Sequence, residues 1–161
     1  GAYFAHTGRL KMSRPDHAID PLLYSIKLAA ARRPRLRLLL AGRLRDDELA
    51  QIHQSPAVSG IVRHGIVPLQ TALSMQAGAD ALIVVAAPNA PVPPGKYAEY
   101  RAAGVPIIPV GDGAWRAMID DDPRSACDRM LAVGAPTENL QKADPFDHIT
   151  AMQHALETLN A

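Results

Sequence analysis

The sequence predicts an α/β fold in which a doubly wound parallel sheet is flanked by helices. Short apolar runs bounded by glycine and proline alternate along the chain with longer segments of helical periodicity. The runs are apolar at successive positions, which is typical of parallel strands that are buried on both faces. Strands that alternate with helices in this way form βαβ units.

Each element is placed by its local pattern. The predicted strands are residues 3–6, 36–41, 60–65, 81–86 and 105–110. The run at 81–86 is the most continuous of these, and the run at 60–65 is the weakest. The predicted helices are residues 21–31, 45–53, 69–77, 96–103 and 147–159. The last helix has one apolar stripe. Residues 88–95 contain four prolines and are predicted to form a loop.

Length, charge and cysteine content limit the classes of function that the chain can have. The chain has 161 residues, which fits one domain, and 17 basic against 16 acidic side chains give a net charge of +1. That balance does not indicate a nucleic-acid-binding protein. A single cysteine excludes an internal disulfide and indicates a reducing compartment. No run approaches the length of a transmembrane segment. Because the chain starts at Gly1 rather than Met, we expect it to belong to a longer protein.

The loop after the first strand is the first candidate site, since ligands of open α/β sheets bind at the carboxyl ends of strands. Gly8 lets a ligand approach the backbone closely, and Arg9, Lys11 and Arg14 supply positive charge for an anion such as a diphosphate. A solvated turn with ordinary surface cations is the alternative. The loop has neither the P-loop nor the dinucleotide-binding spacing.

The start of the helix at 96–103 is the second candidate site. A helix start offers free backbone N–H groups and the positive end of the helix dipole, and Lys96 beside Gly95 adds a full charge. Glu99 follows one turn later and can accept hydrogen bonds from paired hydroxyls such as those of a ribose. The alternative is an ordinary amphipathic helix with Lys96 and Glu99 on its surface.

Other candidates are weaker. The acidic run at residues 120–122 is predicted to be a solvated helix end, and we predict no metal site. A lone tryptophan, Trp115, can stack on a base or a sugar, but a place in the core or an interface is favoured. His6 and His64 lie on predicted strands, where a structural role is favoured over that of a general base.

Two segments together indicate a family. ADALIVV at 79–85 and PGKYAEYRAAGVPII at 94–108 resemble the C-terminal, nucleotide-sugar-binding half of GT-B glycosyltransferases of the retaining family numbered four. The shared pattern is a strand headed by Ala-Asp, a glycine-containing loop, Lys-x-x-Glu-Tyr and Gly-x-Pro. TGRL at 7–10 and VRHGIV at 62–67 add support. The resemblance covers nearly the whole chain.

The resemblance implies a site and a domain organisation. Residues 1–161 would be one Rossmann-like domain, half of a GT-B fold, whose N-terminal acceptor domain is missing. Glu99 would bind the ribose, Arg9, Arg14 and Lys96 would act on the diphosphate as catalytic cations, and the remaining nucleotide-binding positions would be Gly8, His64, Gly65, Val67 and Gly95. The family's first Glu, eight positions before Glu99, is replaced here by Pro91, which leaves the donor-sugar contacts open.

The implied activity is transfer of a hexosyl-type sugar from a UDP or GDP sugar to an acceptor, with retention, in polysaccharide or glycoconjugate biosynthesis. The cations would stabilise the leaving diphosphate without a metal or other cofactor, and the isolated domain would be inactive. A cytoplasmic location is expected from the supply of nucleotide sugars and from the single cysteine. The resemblance implies that any attachment to the inner membrane is carried by the missing domain. The alternative is a non-enzymatic, flavodoxin-like regulatory or partner-binding domain, although the basic end of the first strand disfavours a phosphoacceptor.

Overall fold

A computed structural model of the protein describes residues 2–8, 20–56, 58–86 and 90–133. Within these ranges the strands are β1 (Ala2–Thr7), β2 (Leu36–Ala41), β3 (Ile61–Gly65), β4 (Ala81–Val85) and β5 (Ile107–Val110). The helices there are α1 (Asp20–Arg32), α2 (Asp46–Gln54), α3 (Leu69–Gly78), α4 (Lys96–Ala102) and α5 (Ala126–Ala132), with short 3-10 turns at Val58–Gly60 and Ala114–Arg116. The predicted α/β class is confirmed.

In the described part of the chain, the strands form one five-stranded sheet in the order β3-β2-β1-β4-β5, and every pair is parallel. This matches the first five strands of the Rossmann order 3-2-1-4-5-6, whereas flavodoxin-like sheets run 2-1-3-4-5. The topology therefore does not support the flavodoxin-like alternative. The order reverses between β1 and β4, and the crevice at such a switch point is where these sheets bind ligands.

Both faces of the sheet are buried, as the continuous apolar runs predicted. Alternate side chains along a strand enter opposite cores, so Phe4 lies in one apolar cluster and Ala5 in the other. The first cluster contains buried side chains of α1, α2 and α5, and the second contains those of α3 and α4. Helices α3 and α4 therefore lie on the same face of the sheet, beside the switch point.

Asp80 fastens β4 to β1. Its carboxylate accepts a hydrogen bond from the Tyr3 N–H at 2.8 Å, and its own N–H donates to the Tyr3 carbonyl at 2.8 Å. These bonds hold the Ala-Asp head of β4 against the start of β1, where Phe4 pairs with Ala81. Asp80 thus contributes to the strand pairing that creates the switch point.

The acidic run at 120–122 was predicted to end a helix, and that prediction is wrong. These residues lie in the loop before α5, a helix that the sequence did not predict. Asp120 forms an ion pair with Arg129 at 2.7 Å, and Asp122 forms one with Arg124 at 2.6 Å. The hydrogen bond from Arg124 lowers the pKa of Asp122. Asp120 therefore anchors α5 through Arg129, to which Asp122 also lies close at 3.7 Å.

Two further predictions concern residues that the structure does not describe. The helix at 147–159 lies outside the described residues, and so do Arg9 and Arg14 of the first candidate site. Among the helices that the structure does describe, none combines the length and the apolar character that a membrane span requires.

Candidate functional site

The site lies where β1 ends and α4 begins, because these two ends meet across the switch point. Gly8 follows β1 with φ +101°, a backbone conformation that favours glycine. A Cβ placed on Gly8 would lie 3.1 Å from Cε of Lys96. The loop after β1 and the start of α4, which the sequence suggested as separate candidate sites, therefore contact each other.

Lys96 and Glu99 form the charged centre of the site. The Lys96 Nζ donates to both carboxylate oxygens of Glu99 at 2.8 Å, and it lies 6.0 Å from the centre of the Tyr100 ring. Burial raises the pKa of Glu99, but hydrogen bonds from Lys96 and Gln76 and the charge of Lys96 outweigh it, so the pKa is below its usual value. The carboxylate is therefore ionised at neutral pH.

Behind this ion pair lies a network that the sequence analysis missed. The Gln76 Nε2 donates to the Thr7 hydroxyl at 2.7 Å and to the Glu99 Oε1 at 2.6 Å. The Thr7 N–H donates to the Tyr100 hydroxyl at 2.8 Å, and this hydroxyl donates to the Thr7 carbonyl at 3.3 Å. The last residue of β1 is thus tied to both α3 and α4.

Tyr100 is a neutral part of this network. Burial raises its pKa to about 12, against the hydrogen bonds with Thr7, which lower it. At neutral pH the phenol keeps its proton, so it can accept from the Thr7 N–H and donate to the Thr7 carbonyl at once.

Tyr100→Phe is expected to reduce the free energy of unfolding by about 1–3 kcal/mol, since the buried Thr7 N–H loses its acceptor. Urea denaturation followed by circular dichroism measures the loss. Tyr24→Phe is the control, because Tyr24 is 63% exposed, and it should change stability by less than about 0.5 kcal/mol. Equal losses in the two variants would contradict a stabilising role for the Tyr100 hydroxyl.

The residues predicted for the base pocket lie at the end of β3. His64 is half-buried, and burial lowers its pKa, so the neutral imidazole is favoured. The Gly65 carbonyl accepts the Gly42 N–H at 2.6 Å, and Val67 packs against the second apolar cluster. Two strands, β2 and β1, separate β3 from β4 in the sheet. Gly42 lies between the end of β3, through its bond to Gly65, and the Gly8 backbone.

The start of α4 differs in detail from the anion cradle that the sequence predicted. The Tyr97 N–H donates to the Pro94 carbonyl at 2.8 Å, so this donor is already occupied. Gly95 has φ −54°, and a Cβ added to it would meet nothing within 4 Å. The Lys96 ammonium, rather than the backbone, is therefore the strongest positive group at this end of the helix.

Two other candidates are structural. Trp115 is fully buried in the second apolar cluster, which agrees with the favoured core position. His6 is buried, and its Nδ1 lies 2.9 Å from the Ile83 carbonyl, as expected of a structural histidine. The described residues contain no group of three or more His, Cys, Asp or Glu side chains placed to hold a metal ion.

The fold resembles part of a known assembly. No protein-family model matches the chain, and no curated protein matches it significantly. Among solved structures, a chain of the GtfA/B complex, a glycosyltransferase complex, matches 99% of this chain with a TM-score of 0.55 and 18% sequence identity. The protein therefore has a Rossmann-like α/β fold of the kind found in a GT-B half. It spans 29% of the length of that GtfA/B chain.

Proposed function

We propose that the protein is the donor-binding part of a glycosyltransferase that transfers a sugar from a UDP or GDP sugar to an acceptor. One observation carries this proposal: a cation and a carboxylate of α4 meet the glycine that follows β1 at the switch point. The Lys96 Nζ lies 2.8 Å from the Glu99 carboxylate, and a Cβ added to Gly8 would lie only 3.1 Å from the Lys96 Cε. A nucleoside diphosphate needs such a combination, namely a diol acceptor, a positive charge and close backbone access.

The ion pair suggests how the ligand is accepted. In the proposed complex the ribose diol donates to Glu99, and Lys96 exchanges the carboxylate for a phosphate oxygen beside Gly8. Each charged group then keeps a partner, which matters because an unpaired charge is costly in a partly enclosed site. A ligand that carries only a diol or only a phosphate would leave one of the two groups without its new partner.

The remaining roles follow the family resemblance. Arg9 and Arg14 would bind the diphosphate with Lys96 and stabilise the negative charge that develops on the leaving group, so that no metal is required. Gly95 would adjoin the phosphates, and the segment from His64 through Gly65 to Val67 would line the base pocket. Retention and a hexosyl donor are proposed on the same resemblance.

The proposal includes a second domain. The match to about a third of a longer glycosyltransferase-complex chain supports the view that an acceptor-binding domain completes the enzyme. The 161-residue chain would then bind nucleotide without transferring sugar. A cytoplasmic location is proposed because nucleotide sugars are supplied there, and attachment to the inner membrane would depend on the acceptor domain.

Nucleotide binding tests the proposal directly. At a concentration near 100 times Kd, UDP or GDP should raise the Tm by about 5–10 °C, because ligand binding stabilises the folded state by about 2.7 kcal/mol. Glu99→Gln should weaken the affinity measured by calorimetry about 10- to 100-fold, since it replaces a charged acceptor of the diol by an amide.

Asp121→Asn provides the matched control, because Asp121 is an exposed carboxylate in the loop before α5. It removes one negative charge, as Glu99→Gln does, and should leave the affinity unchanged. Absence of any Tm shift with millimolar UDP and GDP would reject the proposed function. Equal effects of the two variants would reject the ribose-binding role of Glu99.

A further inference from the structure

Gln76 is a fully buried polar side chain whose position calls for an explanation. It is 1% exposed and faces the same core as two buried apolar residues, Met75 on α3 and Ala79 directly after the helix. Burial of an amide is costly unless hydrogen bonds replace its lost water. The Gln76 side-chain nitrogen makes two hydrogen bonds, one to Thr7 at the end of β1 and one to Glu99 on α4.

The orientation of this amide follows from chemistry. An ionised Glu99 carboxylate can only accept hydrogen bonds, so the amide nitrogen rather than its oxygen must face it. The second contact, with the Thr7 hydroxyl, is held in place by Tyr100, which bonds to the Thr7 backbone on both sides of the residue. Gln76 is therefore a donor of fixed position aimed at Oε1 of Glu99.

We infer that Gln76 is a positioning residue that fixes the Glu99 carboxylate for the vicinal diol of a ribose. The inference rests on the proposed function. The terminal torsion of a glutamate side chain has a broad energy profile, so an exposed carboxylate samples many orientations. The hydrogen bond from Gln76 holds Oε1 of Glu99 from the buried side. The acceptor sites that Lys96 now uses then face the open side, where a ligand would bind.

The acceptor sites can be counted. Oε1 accepts from Gln76 and Lys96, and Oε2 accepts from Lys96. Each carboxylate oxygen has about two acceptor sites. When Lys96 turns to a phosphate, it releases one site on each oxygen, and Oε2 keeps a further open site, so each oxygen can accept one hydroxyl of a diol. The Gln76 bond remains in place throughout, because its donor lies on the protein side of the carboxylate.

The test measures the carboxylate itself as well as nucleotide binding. In the ligand-free 161-residue chain, carbon-detected NMR titration of Glu99 is compared between the wild type and Gln76→Met. Loss of a donor to the charged form should raise the pKa of Glu99. The same variant should bind UDP or GDP about tenfold more weakly, while a 2′,3′-dideoxynucleoside diphosphate, which has no diol, should bind the variant and the wild type equally.

Gln70→Met is the matched control, because Gln70 is an exposed glutamine on the same helix, and both readouts should stay at their wild-type values. Thr7→Val is a second variant that removes the other partner of the amide and keeps the Glu99 bond. It should produce a smaller change of the same sign in both readouts, and it serves if Gln76→Met does not fold.

The possible results distinguish the positioning role of Gln76 from the proposed function. An unchanged Glu99 pKa in Gln76→Met, with nucleotide bound normally, overturns the positioning role and leaves the proposed function standing. Equal weakening for the ribose and dideoxy ligands also overturns it, since Gln76 would then act on the fold rather than on the diol. Failure of the wild type to bind any nucleotide overturns the proposed function and the diol role together, and the titration still decides whether Gln76 sets the ionisation of Glu99.

Discussion

Gly42→Ala is expected to lower the free energy of unfolding by about 3 kcal/mol or more. Gly42 has φ +135°, and a Cβ placed on it would lie 2.6 Å from the carbonyl carbon of Gly8 and 2.9 Å from its Cα. Backbone cannot yield as a flexible side chain does, so the ends of β1 and β2 would have to separate. The hydrogen bonds from the Gly8 N–H to Ala41 and from the Gly42 N–H to Gly65, both at 2.6 Å, would be disturbed.

Urea denaturation followed by circular dichroism measures this effect, and Gly104→Ala supplies the comparison. Gly104 also has a positive φ, +67°, but a Cβ there would meet nothing within 4 Å. Its substitution should therefore cost only the backbone strain, about 1–2 kcal/mol. If the two variants lose the same stability, the close approach of Gly42 to Gly8 does not constrain the fold.

The same contact links the fold to the proposed site. Gly8 adjoins Lys96, so a shift of the Gly8 backbone moves the position at which a phosphate is proposed to bind. We expect molecules of Gly42→Ala that remain folded to bind nucleotide more weakly as well. Close packing of the strand ends is in this way a requirement of the site and not only of the sheet.

The strands were predictable because their signal is local. Residues 36–41 were predicted and observed as β2 without a change of boundary, since a strand buried on both faces has apolar residues at successive positions. The weakness of the run at 60–65 also has a physical cause. β3 is an edge strand, and Arg63 and Gly65 on it are exposed, so burial places fewer demands on its composition.

Helix α5 was missed because long-range contacts stabilise it. It has seven residues, too few for a clear periodic pattern, and its stability depends on partners elsewhere in the chain. Arg129 joins it to Asp120 and to the Ile107 carbonyl, and Arg33 of the α1–β2 connection donates to carbonyls at its C-terminal end. Such pairings have no signature in the local sequence.

The candidate site was predictable in part. Topology brings the ends of β1 and β4 together, so the contact between Gly8 and Lys96 follows from the strand order. Gln76 was missed because glutamine is usually exposed. A signal was present, however, since Ala72, Met75, Gln76 and Ala79 have the i, i+3, i+4, i+7 spacing of a buried helix face. A polar residue within such a stripe indicates a buried hydrogen-bonded network.

The charge of the site also differs from the sequence-based expectation. Lys96 was expected to be one of three cations free for a diphosphate, whereas in the structure its charge is compensated by Glu99 at 2.8 Å. Lys96 can therefore pair with an anion only when another donor takes its place on the Glu99 carboxylate. In the proposed function, this pairing would favour a ligand that carries both a diol and a phosphate.

Trp115→Ala is expected to reduce the free energy of unfolding by about 3–5 kcal/mol, the usual cost of removing a large buried aromatic side chain. Trp115 is fully buried among the residues of the second apolar cluster. Its indole N–H donates to the Asp112 carbonyl at 3.3 Å, so its polar atom has a partner inside the protein. Urea denaturation at low temperature measures the loss of unfolding free energy. Met118→Ala is the control, because the Met118 side chain is 56% exposed, and it should change stability by less than about 0.5 kcal/mol.

Nucleotide binding by a milder variant separates packing from recognition. Trp115→Phe keeps an aromatic ring in the cluster and should lose less stability than Trp115→Ala. Because the Trp115 ring has no exposed face on which a base or a sugar can stack, the affinity of folded Trp115→Phe for UDP or GDP should equal that of the wild type. Retained stability with lost affinity would instead place Trp115 in the binding site, and would require the cluster to open when the ligand binds.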